Sequence, residues 1–328
     1  MKQIIFILFI FLLAGCRSYY SPKPDKLNKP ILVDKTFNSE IEYITKDTAT
    51  LKNGEVLPIQ QKLPKGFVAI DKELSKNGNI LRVNNKNIKF DKLIVTASKR
   101  DNLIAILFNG NDFKLYDLEQ NKVIASKNFG DFLALRKFIA KPYFYKKLLL
   151  IPTLNGKMVV FDLNTNRVVR SIVISQKDYF NNAIFLGVKD DNLIVASRDQ
   201  IFVITPGMVT DKSYNIKHIL VDNKQIYIFT IEGRIIKTNF ALKELKVKEF
   251  KYANIISPVF YNNKIYFLIR GDKSFLVSID KNLDKYNVTP LLQKVEDKDC
   301  DNDALDLKRD VFFSNGTYYI GDNILKIK

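Results

Sequence analysis

Few side chains in this sequence are suited to chemistry, and their spacing limits what they can do. His218 is the single histidine in 328 residues, and it stands at the start of an apolar strand. A Ser-His-Asp relay would have to pass through it, yet no Gly-x-Ser-x-Gly elbow is present to hold a nucleophile. A lone imidazole at a strand start therefore reads as structural. Zinc-ligand spacings, phosphate-cradling loops and Gly-x-Gly-x-x-Gly are absent. Asp297, Asp299, Asp301 and Asp303 alternate within Glu296–Asp306, as oxygen ligands do at the start of calcium loops. Counted from Asp299, the sixth position is Ala304 where a glycine should make the sharp turn, and the twelfth is Asp310 instead of glutamate. The stretch reads as a solvated acidic loop. These observations predict a chain that is not an enzyme and holds no cofactor or metal.

Cysteine chemistry is the exception. Lys2 precedes ten apolar residues, Ile4 to Leu13, and then Leu13-Ala14-Gly15-Cys16. Ten apolar residues are too few to span a bilayer as a helix and fit a processed leader. The ending resembles the lipobox of bacterial lipoproteins. That resemblance implies cleavage before Cys16, acylation of Cys16 with palmitate-type chains, and a signal peptide over residues 1–15. Arg17, where retained lipoproteins carry aspartate, implies sorting to the periplasmic face of the outer membrane. Residues 17–30 are rich in proline and lysine without apolar periodicity, so 16–38 is expected to be a lipid-anchored tether. With Cys16 acylated, Cys300 has no intramolecular partner, and no intrachain disulfide is expected.

The remaining chain, 39–328, is expected to be one domain. Hydrophobic residues make up 46% and aromatics 12%, with 24 Phe and no Trp, ample for a packed core. The net charge of +17 falls to about +16 when Lys2 leaves. A basic surface fits nucleic acid, but export removes that partner, and the lysines are scattered through turns. The excess of lysine reads as compositional drift, with attraction to anionic lipid headgroups or lipopolysaccharide phosphates as the alternative.

The elements that must position any functional residue follow one grammar, clearest from Leu148 to Ser171. An apolar run meets Asn155-Gly156, a second run ends in Asp162, and a third surrounds Val168-Val169. Asn-Gly between apolar runs predicts a hairpin, with a type I′ turn that puts both residues at φ > 0. The middle strand recurs with its last residue at Asn84, Asp117, Asp162, Thr205, Asn239, Asp280 and Lys328, at spacings of 33 to 48 residues. Short antiparallel units repeating at about 40–45 residues predict an all-β fold, a β-propeller. The repeat count gives about seven four-stranded blades, with eight as the alternative. The last unit stops after three strands. The strand-like stretch between Ser39 and Leu57 is expected to supply its fourth strand and close the ring.

One connection stands out, Phe129 to Lys147, rich in large apolar and basic residues. It contains Leu133-Ala134-Leu135-Arg136, with Pro142 beyond, and the next blade carries the Asn-Gly turn. With Gly156-Lys-Met-Val-Val-Phe-Asp-Leu-Asn-Thr-Asn166, a quinoprotein-type blade phrase, this resembles the BamB family of outer-membrane lipoproteins. The resemblance implies a non-enzymatic periplasmic scaffold, an accessory of β-barrel outer-membrane protein assembly and a monomer within a complex. It further implies that Leu133, Leu135 and Arg136 bind the periplasmic domains of a BamA-like protein. Quinone-dependent dehydrogenases share the blade repeat but stack their cofactor on a tryptophan, which this chain lacks. The blade-end tryptophans of BamB proteins and their second docking motif, Asp-x-Asp followed by Thr-Thr-Pro, are also missing. A propeller binding a sugar or peptidoglycan fragment, or an enzyme on that fold, is the alternative.

Overall fold

The computed structural model describes residues 19–327 apart from 34–38, 60, 131–138, 176–181, 206, 294–302, 306 and 308–309. Its strands form eight separate sheets, each built on an antiparallel meander. These are blade 1 (41–62), blade 2 (68–89), blade 3 (94–128), blade 4 (143–173), blade 5 (185–213), blade 6 (216–249), blade 7 (254–293) and blade 8 (311–326). Blades 1 to 7 carry the four strands of a meander, and blade 8 has three among the described residues. Eight blades replace the expected seven.

The extra blade is the first. The stretch expected to complete the last blade forms a sheet of its own, with Ile41–Ile44, Ala49–Leu51, Glu55–Leu57 and Gln61–Lys62 paired in order. Gly54 turns this sheet at φ +87°. A Cβ there would lie 2.8 Å from the Leu63 carbonyl oxygen, so only glycine fits. The ring closes by face packing: Ile41, Ala49 and Leu51 of blade 1 meet Phe312 of blade 8 in one buried cluster.

The second strand of each larger blade reads as a continuous apolar run because neighbouring blades cover both of its faces. Leu103–Phe108 (LIAILF) is buried along almost its whole length, and Gln225–Thr230 likewise. Between blades 3 and 4, Phe113 packs on Phe161 at a centroid distance of 5.5 Å. Between blades 6 and 7, Phe250 packs edge-on to Phe267 at 5.2 Å. Each fully buried phenylalanine is worth about 1.5–3 kcal/mol, so phenylalanine can fill the wedges without tryptophan.

The repeating aspartate has a local cause. Asp117 Oδ1 accepts the backbone N–H groups of Glu119 and Gln120, and Asp162 Oδ1 those of Asn164 and Thr165. Asp280 does the same with Asp284 and Lys285. A carboxylate at the end of the third strand thus fixes the turn into the fourth. Asn155-Gly156 departs from expectation: only Gly156 has positive φ, +75°, so the turn is not type I′. Thr153 hydrogen-bonds to Lys157 across a longer loop instead. Paired positive φ occurs at Asn84-Asn85, Asp190-Asp191, Asn262-Asn263 and Asn315-Gly316.

The segment read as a tether packs on blade 7. Tyr20 lies against Phe250 and Phe275, at 6.0 and 5.8 Å. Leu27 bridges to Val288, and Ile31–Val33 adds a parallel strand outside Tyr286–Gln293.

Candidate binding site at the inter-blade connection and channel

The connection from blade 3 to blade 4 is rooted firmly at both ends. Phe129 stacks on Phe113 at 6.1 Å and 24°. Gly130 takes φ +95°, and its carbonyl accepts the Asn111 side-chain amide at 2.9 Å. Asn155, from the turn that the sequence singled out, donates to the Phe129 carbonyl at 3.2 Å. On the far side Ile139 packs into the core between blades 3 and 4, and Ala140 N–H donates to the Ala183 carbonyl at 2.8 Å. Leu133, Leu135 and Arg136 lie outside the described residues, as do Cys16, Cys300, Asp297, Asp299 and Asp301. Asp303 falls on a two-residue strand, Asp303–Ala304, paired to blade 7.

Lys141 is the side chain that ties the connection to the ring. Its ammonium reaches Asp47 Oδ2 at 2.6 Å and Asp71 Oδ2 at 2.7 Å, one carboxylate from blade 1 and one following the first strand of blade 2. Burial pulls the Lys141 pKa down, but the two carboxylates outweigh it and hold the ammonium above its ordinary range. Three blades are thus joined across a cavity of about 460 Å³ lined by first strands, including Tyr43, Val95, Phe185 and Val221. Lys46 sits 5.3 Å from the centroid of Phe185 at this cavity. Burial raises the Tyr43 hydroxyl, so it stays protonated and can donate.

A second feature is cationic. Lys217, on the first strand of blade 6, donates to Asn254 Oδ1 of blade 7. Burial, then the Arg270 and Arg198 guanidiniums, lower its ammonium to about 8. His218 beside it is driven to about 3 by burial, Lys217 and Arg198, so its imidazole is neutral. Its Nε2 is buried and has no hydrogen-bond partner among the described residues. Among the described residues no group of three His, Cys, Asp or Glu side chains could hold a metal. No helix among them is long and apolar enough to cross a membrane.

The ring is a shared architecture. The chain superposes on the crystal structure of BamB from Moraxella catarrhalis with a TM-score of 0.57 and 11% identity, over 94% of this chain and 99% of that one. At that identity the likeness shows the fold, an eight-bladed β-propeller. By sequence the chain is 27% identical over 267 residues to plasminogen-binding protein PgbB of Helicobacter pylori strain J99, covering 80% of this chain and 48% of that protein. The protein of the same name from strain 26695 is 28% identical over 267 residues, covering 80% and 47%. The chain thus spans about half the length of the curated relatives it matches. No family model matches it.

Sequence reasoning missed Lys141 and the Lys217 cluster. Nothing in Ala140-Lys141-Pro142 marks a lysine that will find two carboxylates 94 and 70 residues away. Arg198 and Arg270 had a faint signal: each falls at or just beyond the end of its blade's second strand, so aligned repeats place them at similar heights.

Proposed function

We propose that this protein is a non-enzymatic scaffold lipoprotein, held by acylated Cys16 at the periplasmic face of the outer membrane, that binds other proteins through its inter-blade connections. The observation that carries the reading is the sequence likeness to proteins named for binding a protein, on a fold that BamB shares. The rooting of the blade 3–4 connection supports it. Both flanks of the connection are fixed to the ring, by Gly130 on one side and by Ile139, Ala140 and Lys141 on the other. In this reading Leu133, Leu135 and Arg136 meet the periplasmic domains of a BamA-like assembly protein, and the propeller acts as a monomer within that complex. Nucleic acid has no part.

The PgbB likeness favours a second reading, in which the propeller binds a host protein such as plasminogen at the cell surface. Crosslinked membranes, purified through a tag on this chain and read by mass spectrometry, separate the two. Recovery of outer-membrane assembly proteins from cells whose propeller resists external protease supports the first reading. Protease-sensitive propeller on intact cells, with plasminogen capture and no assembly proteins, overturns it. Cys16→Ser should abolish labelling by a palmitate analogue and leave uncleaved precursor at the inner membrane; continued labelling in the outer membrane refutes the anchor.

A further inference from the structure

The sequence alone leaves a long flexible leash between anchor and propeller; the structure shortens it. Tyr20 is wedged between Phe250 at the end of blade 6 and Phe275 of blade 7. From there to Val33 the chain is docked on blade 7, with Asn28 N–H on the Val288 carbonyl at 2.8 Å and Ile31 opposite Leu291. Only three Cα steps separate Cys16 from Tyr19, a reach of about 11 Å. An acyl anchor on Cys16 therefore holds the rim of blades 6 and 7 close to the bilayer.

That rim is chemically suited to a lipid surface. Tyr19, Leu27 and Leu32 of the docked segment are 44%, 47% and 44% exposed, and Leu245 and Tyr252 are 48% and 53% exposed. Lysines are interleaved with them. Lys248 lies 4.2 Å from the Tyr286 centroid and Lys26 lies 6.0 Å from the same ring, while Lys251 covers Tyr252 at 5.0 Å. Burial, then Lys23, Lys246 and Lys26, lower the Lys248 ammonium, which marks these cations as close neighbours. Asp25 pairs with Lys26 and Asp284 with Lys246, leaving Lys23, Lys248 and Lys251 without an ion pair among the described residues. Exposed aromatic and aliphatic side chains mixed with lysines are the composition that headgroup regions accept.

We propose that the rim of blades 6 and 7 is a second membrane contact, resting on anionic lipid headgroups, so that the propeller stands on edge. The inference rests on Cys16 as the anchor. In a ring of eight, blade 3 lies four blades from blade 7, so the blade 3–4 connection points away from the bilayer toward a periplasmic partner.

The test uses the mature polypeptide from Cys16, made without acyl chains, so that it decides the surface independently of the anchor. Cosedimentation with phosphatidylglycerol-containing vesicles at low salt is compared with phosphatidylcholine vesicles. Replacing Lys23, Lys248 and Lys251 by Gln should cost about fivefold in partition per lysine. The same change at Lys86, Lys122 and Lys127, on blades 2 and 3, should cost under about threefold in total. Equal losses in the two variants, or no preference for anionic vesicles, overturn the proposal. Because the chain has no tryptophan, Tyr252→Trp and Val123→Trp are single reporters. On the acylated protein, brominated lipids should quench the first and spare the second; equal quenching overturns the orientation.

Discussion

Replacing Lys141 by methionine keeps the length of the side chain and removes the charge that joins blades 1, 2 and 4. The two ion pairs, at 2.6 and 2.7 Å, involve groups 32%, 33% and 22% exposed, neither fully wet nor dry. Exposed pairs are worth about 0–1 kcal/mol, and hydrogen bonds to charged groups about 1.5–3. With water reaching nearly a third of the lysine, about 1 kcal/mol per pair is reasonable, plus the repulsion of two carboxylates left facing one another. The expected loss is about 2–3 kcal/mol, or a fall of roughly 3–5 °C in Tm for a domain of about 300 residues. The sign with pH follows from a folded-state pKa above the ordinary lysine value: the contribution is complete below pH 10.5 and is lost as pH rises through the folded pKa. The assay is a double-mutant cycle with Asp47→Asn by chemical denaturation at pH 7. A coupling of about 1 kcal/mol is expected, and additivity within about 0.3 kcal/mol would refute the bridge. Lys141→Met should also weaken partner capture, because the root of the connection is loosened.

Three further outcomes follow from the same geometry. Phe312→Ala should cost about 3–5 kcal/mol and couple to Leu51→Ala, because both sit in the seam between blades 8 and 1; independent effects in denaturation would show that the ring is not closed there. Gly233→Ala should destabilise by more than about 1 kcal/mol, since φ is +84° and a Cβ would lie 2.3 Å from the Phe250 carbonyl oxygen; an unchanged melting curve would contradict the turn. Leu135→Ala or Arg136→Ala should cost about 2 kcal/mol or more of partner binding with Tm nearly unchanged; lost stability with unchanged capture per folded molecule would assign these side chains to the core.

Blades 2 to 8 were legible because their apolar third strands recur, and in blades 3 to 7 each ends at or just before a side chain that fixes the turn, as Asp117, Asp162, Thr205, Asn239 and Asp280 do. Blade 1 was not. Its strands are two to four residues long, too short for an alternation to stand out, and its first strands look like the missing edge of blade 8. The N-terminal segment misled through composition: proline and lysine suggest a tether, whereas Tyr20 and Ile31–Val33 are what pack. At the candidate site, chain order hides what the ring brings together. Lys141 meets Asp47 and Asp71 only because first strands from different blades face one cavity.

The central claim is that the blade 3–4 connection is where this propeller holds another protein. A photo-crosslinking amino acid placed at Leu135 in cells, with Val169 on the exposed outer strand of blade 4 as comparison, tests it directly. A discrete adduct from position 135, with none from 169, is the predicted result, and its mass-spectrometric identity names the partner. Adducts from 169 alone, or none from 135 while the protein is folded and membrane-bound, would contradict the account.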